Sequence, residues 1–380
     1  MNRKYSIRTA IFLFLFLCMH LPFSMAHAAS ATNVSLENDL YRDMEFWAAE
    51  GLIESQLSSI KPIARSEAGK QIAIAMYKCS VMETPTATCK KIQNHYAKIF
   101  AAEIEEASSP LSISDDFVKP VENLAVTYEY LDGPFSIYNK EARLYGEGYN
   151  SMIELQSHAR LAGVFSFFLQ PLVVFNEHED FHGGDDKTEV RLHKGYAKLT
   201  LFNCELEVGR DSLWWGPGYH GALLMSNNAH PLDMIKLSNP EPVLLPWIFS
   251  YLGPVQFNLF LSQINDKRYD PELANPFLYG LRLGIKPFPM LELGASHLVM
   301  FGGPGRRDLS FSEIMETLYS NQNLNDQTTD SNQEFAVDVA LTIPNIRKYI
   351  YVADGIKIYA EAGGEDSGIP PDRRAYLTGF

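Results

Sequence analysis

Three carboxylates, Glu205, Glu207 and Asp211, precede a pair of indoles, Trp214 and Trp215. Paired acids beside aromatic rings are what a glycosidase uses, one as acid and one as nucleophile or base. On a strand, Glu205 and Glu207 share a face opposite Leu206 and Val208, so both point the same way. Structural charges paired with Arg210 or Arg191 give that pattern equally well. His178, Glu179, Asp180, His182 and Asp185 are metal-ligand types, but their spacing matches no zinc signature. The expectation is therefore no metal and no cofactor. Ser212 has no nucleophile-elbow context, and no Gly-rich phosphate loop leads from a strand into a helix. The chain reads as a non-enzyme.

Carbohydrate binding asks for other groups. Aromatic faces stack on sugar C–H groups, while planar amides and guanidinium groups bond hydroxyls and carboxylates. Candidates are Arg210, Trp214, Trp215, Asn227, Asn228, His230 and Trp247 in one segment, and Arg306, Arg307 and Tyr319 in another. The second set adjoins a run of amides from Asn321 to Gln327. The competing reading is structural, with the Trp residues pinning a long loop and the amide run merely solvated.

The elements that must position these groups change character along the chain. Arg3, Lys4 and Arg8, the apolar run from Ala10 to Leu17 and Ala26-His27-Ala28 form a signal peptide, residues 1–28. A helical period follows over 36–108: Leu40, Met44, Trp47 and Ala48 recur at threes and fours, and Ser66-Glu67 opens a second helix. Of four cysteines, Cys79 and Cys89 lie together in this exported unit and are expected to form a disulfide. Closing so short a loop contributes about 3 kcal/mol.

From residue 120 to 380 the period becomes two. Leu124, Val126, Tyr128 and Tyr130 alternate with small or charged residues, as do Phe277, Tyr279, Leu281, Leu283 and Ile285. In a soluble sandwich the apolar face is the core; in an outer-membrane barrel it meets lipid and the polar face lines a lumen. Runs near ten residues ending in Tyr, Phe or Trp favour the tilted membrane crossing. The fold class expected is mainly β, a transmembrane antiparallel β-barrel of outer-membrane type with a small N-terminal α-helical unit. Arg282 and Lys286 with Glu292 and Asp338 suit a charged lumen. The strand phase breaks near Phe202 to Cys204, read as a bulge. Prolines at 217, 231, 240, 242, 246 and 254 make the belt between strands neither helix nor central strand. A net charge of −14 argues against nucleic acid as partner. A mean hydropathy of −0.12 suits a barrel, whose strands hide their apolarity in alternation.

The order Gly209-Arg210, Trp215-Gly216-Pro217-Gly218, Leu224, Ser226, Asn228-Ala229, then Pro246-Trp247, Leu252-Gly253-Pro254, Phe257, Gln263 and Asp266 resembles the capsule assembly protein Wzi family. The resemblance runs from about Leu40 to the C-terminus and is densest from Val208 to Arg268 and from Leu291 to Phe311. It implies an outer-membrane lectin that holds capsular or extracellular polysaccharide, with that polymer and outer-membrane lipid as partners and a monomeric state. Alternatives are a diffusion porin and a periplasmic polysaccharide-active hydrolase using Glu205 and Glu207. Family members form a barrel of roughly eighteen strands. Twelve to fourteen candidate strands are legible here, so the expectation is either a smaller barrel or one incomplete at its C-terminus.

Overall fold

The computed structural model describes residues 29–109, 115–133, 135–136, 139–178, 186–264, 275–303, 310, 313–314, 331–351, 353–365 and 373–380. The signal-peptide reading, 1–28, lies outside them.

The strands in chain order are β1 (Ile60–Lys61), β2 (Phe117–Leu131), β3 (Phe135–Ser136), β4 (Leu144–Tyr145), β5 (Gly148–Leu161), β6 (Phe165–His178), β7 (Asp186–Leu201), β8 (Cys204–Asp211) and β9 (Trp214–Trp215). They continue with β10 (Leu232–Ser238), β11 (Val243–Leu244), β12 (Pro254–Gln263), β13 (Phe277–Phe288), β14 (Leu291–Phe301), β15 (Asn332–Ile343), β16 (Ile356–Glu365) and β17 (Arg373–Gly379). Fifteen of them pair in one antiparallel sheet. The long strands neighbour one another in chain order, β2 on β5, β5 on β6, and so to β17. β1 and β9 form a separate two-stranded sheet. No helix among the described residues is long and apolar enough to cross a membrane, which says nothing about strands.

The two faces of the large sheet decide between sandwich and barrel chemistry. On one face Lys198, Glu205, Glu207, Lys236, Gln256, Asn258 and Arg282 are buried. On the other, Val208, Ile235, Leu261, Leu283 and Val337 are exposed. A water-soluble sheet would bury the second set and expose the first. This sheet is inverted, as a lipid-facing one must be.

The buried charges are mutually satisfied. One register row runs Lys198, Glu207, Lys236 across β7, β8 and β10. Lys236 Nζ lies 2.6 Å from Glu207, and Lys198 Nζ lies 2.9 Å from Glu205. The partners of Glu205 and Glu207 are thus lysines on the two strands flanking β8, not Arg210 or Arg191. Arg282 donates to Asp338 at 2.7 and 3.1 Å, passing over Gly294, whose missing side chain leaves the space. Asn33, from the segment before the helices, donates to Glu207 at 3.0 Å and to Asp211 at 2.8 Å.

One end of the sheet carries turns of two or three residues, among them Phe202-Asn203 and Pro289-Met290. Phe202 and Asn203 both have positive φ, 51° and 59°, as a two-residue hairpin turn with the strand twist requires. The phase break is therefore this turn and not a bulge. Longer connections leave the other end, including 212–231.

Five helices and a π turn hold the N-terminal part: α1 (Leu40–Ala49), α2 (Arg65–Ser80), α3 (Ala87–Lys91), the π turn Ile92–Tyr96 and α4 (Ala97–Ile99), then α5 (Ala101–Ser108). Their apolar positions meet in a core of Leu40, Met44, Trp47, Ile72, Ile92 and Phe100. A disulfide joins Cys79 to Cys89. The unit is tied to the inner face of the sheet. Glu292 accepts the amides of Ser58 and Ser59 at 2.9 Å each, Lys286 donates to the Gln56 carbonyl at 2.8 Å, and Lys357 pairs with Glu45 at 2.8 Å.

Candidate functional site

The segment from Ser212 to Pro231 leaves β8 and crosses the inner side of the sheet. Its first residues are fixed by β1: Trp214 and Trp215 pair with Lys61 and Ile60, and the Gly216 amide donates to the Ser59 carbonyl at 2.9 Å. The Pro217 carbonyl then accepts from Lys357 at 3.2 Å, and the Leu223 amide donates to Glu361 at 3.2 Å, both on β16. A return contact, Trp215 N–H to the Met225 carbonyl at 2.9 Å, doubles the segment back toward β10. The belt is thus ordered by carbonyls and amides that its prolines and glycines leave available.

A second loop meets it. The Glu141 amide donates to the Asn227 carbonyl at 2.8 Å, and Asn227 Nδ2 donates to the Asn139 carbonyl at 2.9 Å. Asn139 N–H donates to Asn228 Oδ1 at 2.7 Å, and its Nδ2 donates to the His220 carbonyl at 3.0 Å. Glu141 anchors this loop to the wall: its carboxylate pairs with His193 and Lys194 and accepts from Ser212 at 2.7 Å. Burial would raise Glu141, but the His193 and Lys194 contacts overcome it and hold the group below the usual carboxylate range.

Between the two loops and α1 lies a cavity of about 250 Å³. Trp214, Tyr219 and His220 supply aromatic faces, and Asn139, Asn227 and Arg42 supply polar groups. Tyr219 and His220 are exposed and meet edge to face at 4.8 Å. Lys61 Nζ also lines it, 5.7 Å from the Trp214 ring. Burial, with Lys357 near, pushes the Lys61 ammonium down although Glu45 opposes the shift. Rings beside amides and a guanidinium can hold a sugar face and its hydroxyls.

The residues read from the sequence separate into groups. Trp214 and Asn227 line the cavity, and Asn228 holds its loop. Trp215 does not face a ligand: it is 0% exposed, packed with Leu213, Met234, Phe260 and Leu298. Its reading is corrected to core, because the belt must bury an anchor to cross the sheet. Arg210 is also corrected; it lies beside Val208 on the outer face, bonded to Asp233 at 2.6 Å. Trp247 is 90% exposed and opens a 3₁₀ turn, Trp247–Leu252, at the short-turn end, so it does not join Trp214. His230 is exposed at the entry to β10. Arg306, Arg307 and Tyr319 lie outside the described residues, as do the loop acids Glu179 to Asp185. Among the described residues no group of three His, Cys, Asp or Glu could hold a metal ion.

Sequence reasoning missed Tyr219, His220, Asn139 and Arg42. Tyr219 and His220 follow Gly218 directly, so the aromatic count of the belt could have included them. Asn139 carries no local signal; only folding brings it to Asn227.

A family model for capsule assembly protein Wzi matches residues 131–380. An uncharacterized 55.8 kDa protein in the cps region of Klebsiella pneumoniae is 28% identical over 187 residues, 49% of this chain and 35% of that protein. The fold superposes on the solved structure of Wzi, an outer membrane protein involved in group 1 capsule assembly in Escherichia coli and a carbohydrate binding β-barrel. There the TM-score is 0.61 at 19% identity, over 92% of this chain and 67% of that one. The chain thus spans about a third of the Klebsiella relative and two thirds of the Escherichia structure.

Proposed function

Because the chain belongs to the capsule assembly protein Wzi family, we propose that it lies in the outer membrane as a β-barrel lectin. In this reading it holds capsular or related polysaccharide at the cell surface and does not turn it over. The inverted sheet carries the proposal: exposed Val208, Ile235, Leu261 and Val337 on one face demand lipid, while charge pairs fill the other. The Tyr219–His220 cavity supports the lectin part. Glu205 and Glu207, sealed beneath Lys198 and Lys236, count against the hydrolase alternative, since a glycosidase acid must reach its sugar. The belt and the N-terminal helices against the inner face count against an open diffusion porin.

The test compares cells carrying the wild-type chain with cells carrying Tyr219→Ala plus His220→Ala. Losing two sugar-facing rings at about 0.5–1.5 kcal/mol each should weaken retention by roughly 5- to 140-fold. Polymer then appears in the medium at unchanged total synthesis. Purified protein incubated with the polymer should release no new reducing ends. Unchanged retention in the double variant would remove these rings from the site.

A further inference from the structure

Away from the belt, two adjoining cavities of about 460 and 300 Å³ lie between the strands β2, β5 and β6 and the helical unit. They share Thr32, Arg65, Lys98, Ile99, Lys119 and His158. The larger shares Leu36 and Asn38 with the Tyr219–His220 cavity but runs from there toward β5 and β6, and the smaller shares no lining residue with it. The larger falls within the ordinary size of ligand sites.

Three buried side chains on this wall have polar atoms without partners among the described residues. Arg160, 4% exposed, gives Nη1 to Glu106 at 2.6 Å, yet its Nε and Nη2 are unbonded. Those two N–H groups are one side of the guanidinium, the parallel pair that grips a carboxylate in bidentate fashion. His158 pairs with Glu122 through Nδ1 and leaves Nε2 unbonded, and Gln170 leaves Oε1 unbonded. Buried polar groups left this way cost free energy unless something fills them. Arg65, by contrast, is fully used, by Glu103 at 2.6 Å, the Ile99 carbonyl at 3.0 Å and Glu122 at 3.5 Å.

The pattern restricts the ligand. A guanidinium fork with Lys119 and Lys98 nearby calls for an anion, whereas the Gln170 carbonyl oxygen calls for a donor. A bare oxyanion offers no donor; a hydroxylated carboxylate offers both. Arg160 pairs with Ser166 in register and Gln170 lies four residues further along β6, about 13 Å at the rise of a strand, which suits a short chain of sugars better than one ion. Phe117 packs against the Arg160 guanidinium at 5.3 Å and against Lys119 at 5.2 Å, which holds both cations at the groove.

We propose that this interior groove binds a uronate-bearing stretch of polysaccharide, with the sugar carboxylate on the Arg160 fork and hydroxyls on Gln170. The proposal rests on the polysaccharide-binding reading above and extends it to a second, acidic-sugar site. Lys98 and Lys119, both exposed, stand at its mouth.

The test is calorimetry on the full chain in detergent with cellobiouronic acid, cellobiose and inorganic phosphate. Cellobiouronic acid should bind and cellobiose should not, with phosphate a weak competitor. Arg160→Lys keeps the charge and removes the fork, and should weaken binding about tenfold or more. Lys119→Gln changes an exposed side chain, so its folding is not at issue, and should weaken binding severalfold. No binding of cellobiouronic acid to folded wild type overturns the proposal, as does wild-type affinity in both variants. Phosphate displacing the disaccharide at equal concentration would make this an anion site and overturn the sugar assignment. Retention of polymer by cells is scored separately through Tyr219 and His220. If it persists while calorimetry fails, only the interior site falls; if it fails while calorimetry succeeds, only the surface role falls.

Discussion

Glu67, in the first turn of α2, shows how burial sets the behaviour of single groups here. Gln71 donates to one of its oxygens at 2.6 Å and the other has no partner among the described residues. Burial pushes the carboxyl up to about 7 from 4.5, with Lys70 opposing and Glu241 adding to the shift. A raised acid favours the protonated fold, so this contribution is complete below pH 4.5 and is lost as pH rises through about 7. Above that the ionised group costs roughly 3 kcal/mol. Asp43 runs the other way: burial would raise it, but Lys91 and Tyr96 hold it low, so its contribution disappears only in acid, outside this window. Thermal unfolding followed by helical circular dichroism should therefore show the midpoint falling between pH 5 and pH 8. Glu67→Gln should flatten that slope and raise the midpoint at pH 8. An equally steep slope in the variant would mean that Glu67 ionises without cost.

At the scale of elements, the belt depends on close packing against the wall. Gly280 on β13 lies under Phe260 and Trp215, and a Cβ there would overlap both rings. Gly280→Ala should cost about 1–3 kcal/mol and loosen the belt, read as a red shift and easier quenching of tryptophan emission. An unchanged spectrum would mean that Trp215 does not hold the belt. In the helical unit, replacing both Cys79 and Cys89 with Ser should lower stability by about 3 kcal/mol while leaving the sheet assembled. Much of this level was legible beforehand. The periods of Leu40 to Trp47 and of Phe277 to Ile285 report which side each residue must bury, and that is a local property. Cross-strand partners were not legible: Glu207 meets Lys236 and Asn33 only through register and through a segment far away in sequence. Phe202-Asn203 was misread because a Phe at positive φ is a rare turn residue. The site was half legible, Trp214 and Asn227 from composition, Asn139 from nothing local.

For the whole molecule the governing fact is the inversion of the sheet, because charges such as Lys198 and Arg282 stay buried only if the opposite face has somewhere apolar to go. The family match accords with that physics without supplying it. Tyr and Val residues along β2, from Val118 to Tyr130, continue the outer apolar face to the first long strand. The most direct test is fractionation of expressing cells, with the membrane fraction run on gels unheated and boiled. A lipid-facing barrel gives a band in the outer membrane that resists alkaline extraction and migrates differently before heating. A soluble periplasmic band whose mobility heating leaves unchanged would contradict it.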